Sequence, residues 1–223
     1  FGASLSVRYM QLFEGEEKHP LPEDCYQGMD ILDHAREFAK LYGDKYVNAP
    51  EEERRKALVD YALPLNIAAL ERDLGRYRIH YDVWFRESVL HREGKVTAIC
   101  EKLKENGWAY EKEGALWYNN IKMMIEKAEK AGKPLSEAEI AELKDDVLVR
   151  ANGVPTYFAA DIAYHYNKFA ERGFHRVINI WGADHHGHVA RLKGAMDAVG
   201  LDGNKLDIVL MQLVRLMKDG QPY

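Results

Sequence analysis

The order of apolar and polar positions predicts a mainly helical first part. Leu5, Tyr9, Leu12 and Phe13 recur at roughly helical spacing, with Ser4 as a possible cap. They read as the end of a helix that begins upstream. Residues 14–24 are charged and carry Pro20 and Pro22, so they form a loop. Tyr26-Gln27-Gly28 then opens a helix running to about Tyr42. Residues 50–77 predict a further helix. Its buried stripe is Leu58, Ala62, Leu65, Ala69 and Leu74, and Pro64 should start a new segment or kink it. Residues 79–85 alternate weakly and predict a strand of the main sheet. Residues 93–106 are amphipathic through Val96, Ile99, Cys100 and Leu103, and Gly107 stops them. Aromatic residues on both sides of Glu113-Gly114 predict a hairpin over 108–118, projecting from the main sheet. Residues 119–146 predict two charged helices separated by Gly132-Lys133-Pro134, the second capped by Ser136, and read as a surface insertion.

The pattern changes at residues 154–188. Thr156 can cap a helix that runs to about Arg172, and Gly173 can end it. Residues 177–181 are apolar and β-branched, which suits a buried strand. Gly182 turns the chain into a second amphipathic helix leading to Gly200. Residues 206–216 are a final strand candidate, followed by the polar turn Lys218-Asp219-Gly220-Gln221-Pro222. Helix, strand, turn and helix in this order predict an α/β fold with a doubly wound, Rossmann-like parallel sheet. In such sheets ligands sit outside the carboxyl ends of the strands. Gly182-Ala183-Asp184-His185-His186 lies at one such end. Tyr157 and Asp161, four apart, share a face of the preceding helix, while Phe158 and Ile162 share the neighbouring face and suit the core.

Composition narrows the function. The chain has 223 residues, 47% of them hydrophobic, enough for one large domain or two small ones. A formal net charge of -5 argues against a strong nucleic-acid surface. Two cysteines, Cys25 and Cys100, make no disulfide framework and favour a reducing compartment. No apolar run is long enough to span a membrane.

Asp161 is the sharpest chemical candidate. It sits mid-helix among Phe158, Ala159, Ala160, Ile162 and Ala163, where Asp is a poor choice because its carboxylate competes for backbone donors. The plain alternative is an exposed helix Asp. Asp184, His185, His186 and His188 invite a metal reading, and with it a metal-dependent hydrolase. Adjacent histidines on a turn rarely aim at one ion, however. The plain alternative there is a helix start, with Asp184 as its cap and the histidines in its first turn.

Four segments carry a resemblance. VLVRANGVPTYFAADIAYH at 147–165 and VINIWGADHHGHVARLK at 177–193 resemble the second half of the catalytic domain of arginyl-tRNA synthetases, which are class I aminoacyl-tRNA synthetases. PEDCYQGMDI at 22–31 resembles that family's Tyr-x-Gly segment, with Met29 where Glu is more usual, and YDVWFRESVL at 81–90 is another family-like word. The family's His-x-Gly-His signature would lie upstream of Phe1. Its Lys-Met-Ser-Lys loop would follow Tyr223, for which LVRLMKDGQPY looks like the lead-in. The expectation is an internal piece of a longer enzyme, inactive by itself.

The resemblance implies a cytoplasmic arginine–tRNA ligase of protein biosynthesis, using ATP as substrate, with Mg2+ accompanying the ATP and no tightly bound protein metal. Its partners would be arginine, ATP and tRNA(Arg), with most tRNA contacts outside this stretch and no membrane. It implies a first part of the catalytic core at 1–92, an inserted helix, hairpin and charged helices at 93–146, and the second half of the core at 147–223. It implies that Tyr157, Asp161 and His186 bind arginine, that Tyr26 walls the active site, and that Gly182, Asp184, His185, Gln212 and Val214 border the nucleotide. None of these is expected to be a catalytic nucleophile. A paralogue that kept the fold and lost the chemistry is the remaining alternative.

Overall fold

The computed structural model describes residues 1–222 and divides the chain into two compact units, residues 1–84 and residues from 85 onward. Tyr223, the last residue of the expected lead-in, lies outside the described residues.

The first unit is helical. It holds α1 (Gly2–Glu14), α2 (Met29–Tyr42) and α3 (Glu51–Arg76). Leu5, Tyr9, Ile31, Ala35, Phe38, Leu58 and Ala62 make its core, with Phe38 among the rings of Tyr9, Tyr42, Tyr46 and Tyr61. Two expectations are corrected here and one is narrowed. Ser4 is no cap: it is buried inside α1, and its Oγ accepts the Tyr26 N–H at 3.0 Å. Of the two outcomes expected at Pro64, the new segment is excluded, because α3 continues through it. The buried stripe of α3 stops at Ala62, with Leu65 exposed and Ala69 and Leu74 only half-buried.

Residues 79–85 form no strand. Ile79, Tyr81 and Val83 are all exposed, and no neighbouring strand takes up their backbone groups. Alternation alone does not make a sheet without a partner to pair with.

In the second unit, α4 (Ser88–Arg92) and α5 (Lys95–Glu105) precede β1 (Ala109–Lys112) and β2 (Ala115–Tyr118). The hairpin turn has Glu113 at φ 53° and Gly114 at φ 75°, and Lys112 pairs with Ala115. Both central residues are left-handed, which is the two-residue turn whose twist matches the strands. Next come α6 (Asn120–Lys130) and α7 (Glu137–Glu142), the latter opened by a Ser136–Glu139 capping box. Then β3 (Asp146–Val149) pairs antiparallel with β2, giving the order β1-β2-β3. The hairpin is thus part of its own three-stranded sheet and does not project from a parallel one. Nor is 119–146 merely superficial. Met123 of α6 is buried in the core, while α7 buries nothing.

The expected long helix after Thr156 is α8 (Tyr157–Tyr166), continued by a π-helical turn at Asn167–Glu171, with Gly173 at φ 71° ending it. β4 (Val177–Gly182), a 3-10 turn at Ala183–His185, α9 (His186–Ala198) and β5 (Leu206–Met211) follow. β4 and β5 are parallel, with Val177 opposite Leu206 and Gly182 opposite Met211. This β–α–β crossover is the parallel element of a mixed α/β fold with small sheets. The sheet is narrower and more open than expected. In β4 only Val177 and Asn179 are buried, while Ile178 and Ile180 are 62% and 71% exposed. β5 stops at Met211 rather than at residue 216. The short pair β6 (Met217–Lys218) and β7 (Gln221–Pro222) closes the described chain around Asp219-Gly220. Leu90, Leu103, Tyr118, Leu148, Phe158, Ile162, Leu192, Met196 and Leu206 fill the core that supports both larger sheets.

Candidate functional site

Thr156 fixes where α8 begins. Its N–H donates to Leu148 O at 2.8 Å, its hydroxyl donates to Val147 O at 2.7 Å, and its Oγ1 accepts the Ala159 N–H at 3.4 Å. The helix start is thereby tied to β3. Phe158 and Ile162 turn into the core, so the phase of the helix leaves Tyr157 and Asp161 on the open side. Tyr157 is 80% exposed.

The cleft beside them encloses about 380 Å³ and is lined by Tyr157, Phe158, Asp161, Trp181, His185, His188 and Arg191. Asp161 is partly exposed to it, and its Oδ2 lies 3.0 Å from His188 Nε2. Arg191 Nε donates to His188 Nδ1 at 2.7 Å, and Arg191 Nη1 donates to Asp146 Oδ1 at 2.5 Å. A guanidinium can only donate, so His188 Nδ1 accepts and the ring proton sits on Nε2, directed at Asp161. Ring centroids of Phe158 and Trp181 each lie 5.3 Å from that of His188. The Arg191 guanidinium sits 5.3 Å from the Phe158 centroid. Burial raises the Asp146 carboxyl above its usual range, against the lowering pull of Arg191 and His188.

A second polar chain runs behind Asp161. His165 is 2% exposed, and its Nδ1 donates to the Asp161 carbonyl at 2.7 Å. Asn179 Nδ2 donates to His165 Nε2 at 2.7 Å, and Lys168 Nζ donates to Asn179 Oδ1 at 3.3 Å. Burial, then the Lys168 charge, push the imidazole down to about 4. Burial likewise pushes the Lys168 ammonium down to about 8, with Asp161 pulling the other way. The chain joins α8 and its π turn to β4, which accounts for the buried Asn in an otherwise apolar strand.

The histidines part company. His185 and His188 line the cleft, whereas His186 is exposed and does not. The histidine beside Asp161 is His188. The signal that could have found it was helical phase: His188 and Arg191 are three apart on one face of α9. Asp184 caps nothing. The residue before α9 is His185, with no side-chain cap bond, and the Asp184 side chain is 81% exposed. A Cβ on Gly182 would lie 2.4 Å from Asp184 Oδ1, the end of an exposed side chain that can move aside, so this contact does not by itself require glycine there. Gly182 pairs with Met211, which sets Gln212 directly after the carboxyl end of the parallel pair. Gln212 and Val214 are exposed in a segment without regular structure. Tyr26 belongs to the first unit, 62% exposed. Among the described residues no three His, Cys, Asp or Glu side chains come together as a metal site, so Asp184, His185, His186 and His188 do not support a metal-dependent hydrolase. Cys25 and Cys100 are both free, and no helix of the described residues is long and apolar enough to cross a membrane.

No family model matches the chain. Whole-sequence comparison is more informative. The chain is 52% identical over 221 residues to the arginine–tRNA ligase of Ruminiclostridium cellulolyticum and 54% identical to that of Caldanaerobacter subterraneus. Each match covers 99% of this chain and 36% of the relative, so the chain spans about a third of the length of the relatives it matches. Among solved structures, one solved as an arginyl-tRNA synthetase from Campylobacter jejuni superposes with a TM-score of 0.79 at 32% identity, over 100% of this chain and 46% of that one. The Thermus thermophilus arginyl-tRNA synthetase, 17% identical, shares the fold with a TM-score of 0.61 over 100% of this chain and 41% of its own. Along nearly its whole length, the chain is a relative of the arginine–tRNA ligases.

Proposed function

We propose that the chain supplies the arginine-binding part of an arginine–tRNA ligase, in which arginine and ATP form arginyl-adenylate and the arginyl group passes to tRNA(Arg). The observation that carries this reading is Asp161: a partly exposed carboxylate, held by His188, in a cleft walled by Tyr157, Phe158 and Trp181. A carboxylate accepts two parallel N–H bonds from a planar guanidinium, which an ammonium cannot match. Tyr157, one turn before Asp161, offers a hydroxyl and a ring face to the same group.

The rest of the reaction needs no protein nucleophile. The arginine carboxylate attacks the α-phosphate, pyrophosphate leaves, and a terminal ribose hydroxyl of the tRNA takes the arginyl group from AMP. What such a site contributes is positioning and charge stabilisation. Gly182, Asp184, His185, Gln212 and Val214, at or just beyond the carboxyl end of β4 and β5, are the residues we assign to the nucleotide side, with Asp184 accepting from ribose hydroxyls. The parallel β4–α9–β5 unit supports reading this region as part of a doubly wound sheet, with 93–146 inserted into it. Among the described residues no cluster suits a resident metal, and the Mg2+ of this reading would accompany the ATP phosphates. Two free cysteines fit a cytoplasmic enzyme.

The test is Asp161→Asn in the ligase that carries this chain, followed by tRNA aminoacylation with arginine and ATP titrated separately. The amide swaps an acceptor for a donor and removes the charge. Breaking such a pair costs about 2–5 kcal/mol, roughly 30- to 5,000-fold in arginine binding. The ATP KM should stay near wild type. An unchanged arginine KM would refute the assignment.

A further inference from the structure

Asp161 is the end of a chain of side chains from three separate elements. Asp146 lies at the start of β3, Asp161 in the middle of α8, and His188 and Arg191 one turn apart on α9. Side-chain exposure is 17% for Asp146, 36% for Arg191, 12% for His188 and 38% for Asp161. Asp161 and Arg191 are the two members open to the cleft, while Asp146 and His188 are more enclosed. Resting on the reading of Asp161 given above, we propose that His188, Arg191 and Asp146 are positioning residues that fix the plane and the effective charge of the Asp161 carboxylate for a guanidinium.

The orientation argument follows from donors and acceptors. Arg191 can only donate, and it spends Nε on His188 Nδ1. That leaves His188 one N–H, at Nε2, and Asp161 Oδ2 receives it at 3.0 Å. With one oxygen held, the carboxylate cannot swing about χ2 without losing a charge-assisted bond. Phe158 and Trp181 beside the imidazole keep His188 from following such a swing. A planar fork needs the carboxylate plane set; a compact ammonium does not. Loss of the relay should therefore cost arginine more than lysine, and the preference for arginine should narrow.

The charge argument concerns Arg191 itself. Its guanidinium lines the same cleft that is to receive a second guanidinium. Unpaired, it would repel the ligand. Asp146 neutralises it from behind, leaving the carboxylate of Asp161 as the uncompensated charge of the group. Asp146 thus affects the ligand while being placed behind Arg191, on the far side of the relay.

The experiment uses the ligase that carries this chain. Arginine KM, lysine misacylation, ATP KM and melting temperature are measured for His188→Leu, His188→Gln, Asp146→Asn, Asp161→Asn and the double variant Asp161→Asn with His188→Leu. His188→Leu should raise the arginine KM about tenfold or more, the usual loss for one charge-assisted bond. His188→Gln, whose amide can still donate, should recover most of it. Asp146→Asn should raise the arginine KM with the ATP KM unmoved. In the Asp161→Asn background, His188→Leu should add little, because its effect passes through Asp161. The relay is overturned if His188→Leu and Asp146→Asn leave the arginine KM unchanged while Asp161→Asn raises it, or if His188→Leu adds in full to Asp161→Asn. If Asp161→Asn alone changes nothing, the arginine-site reading falls, and the relay with it. Should His188→Leu fail to fold, Asp146→Asn and His188→Gln carry the comparison.

Discussion

Two polar networks, one in each unit, end in different ways. In the helical unit the Tyr9 and Arg54 networks end on carbonyls and one hydroxyl of that unit. Tyr9 OH donates to Gly43 O at 2.6 Å. Arg54 donates from Nε to Ser6 Oγ at 2.8 Å and from Nη1 to the carbonyls of Tyr46, Val47 and Ala49 at 3.2–3.3 Å. Every acceptor there is a fixed part of the same unit, so the network can only staple. In the second unit both polar chains lead to Asp161, one through its carboxylate and one through its carbonyl, and the carboxylate is partly open. A network that ends on an accessible charge has something left to bind. Where a buried network ends therefore says more about function than its size does.

Asp161→Asn is the sharpest way to break this comparison, since it should cost up to about 5 kcal/mol in arginine binding. It should leave the melting temperature nearly unchanged, because Phe158 and Ile162, not Asp161, carry the packing of α8. A collapse in stability would make the second network another staple. Arg54→Ala should do the reverse. Four hydrogen bonds from one charged group disappear, at about 3–4 kcal/mol of stability by denaturant unfolding. An undiminished midpoint would mean that this network is not a staple.

His165 offers a milder test through pH. Its folded-state value, about 4, lies below its ordinary 6.5, so the fold favours the neutral ring. The resulting stability is complete above the unfolded value and is lost as pH falls from about 6.5 towards 4. At 1.36 kcal/mol per unit the loss is about 2–3 kcal/mol. Wild type and the non-titrating His165→Gln should differ in their pH dependence by about that amount. Parallel curves would show that His165 is not held neutral. The smallest effect is on thiol labelling. Burial pushes the Cys100 thiol up to about 11, and Cys100 is 3% exposed, whereas Cys25 is partly exposed in a loop. At pH 8 a maleimide should modify Cys25 quickly and Cys100 only after unfolding. Fast labelling of both would show the second core to be looser than its packing suggests.

Local chemistry settled much of this chain in advance. The Glu113-Gly114 turn, the Thr156 and Ser136 caps, the stop at Gly173 and the helices of the first unit depend on residues within a few positions of each other, and each is where the sequence predicts it. So is the β–turn–helix around Gly182, because a short β-branched run followed by a glycine and an amphipathic stretch has few other solutions. The similarity to arginine–tRNA ligases was also legible, in words such as FAADIAYH and WGADHHGH. Tertiary structure decided what depends on a distant partner. Residues 79–85 alternate like a strand but meet none, while the unremarkable Asp146–Val149 becomes one because β2 is beside it. Ile178 and Ile180 look like core, yet burial needs a covering layer that these residues do not supply themselves. Which histidine of the run would meet Asp161 was fixed by the face that α9 turns towards α8. That packing put His188 rather than His186 beside Asp161 and, one turn on, brought Arg191 and Asp146 into the same network. Spacing along the chain can put side chains on one face, but only packing between elements decides what that face looks at.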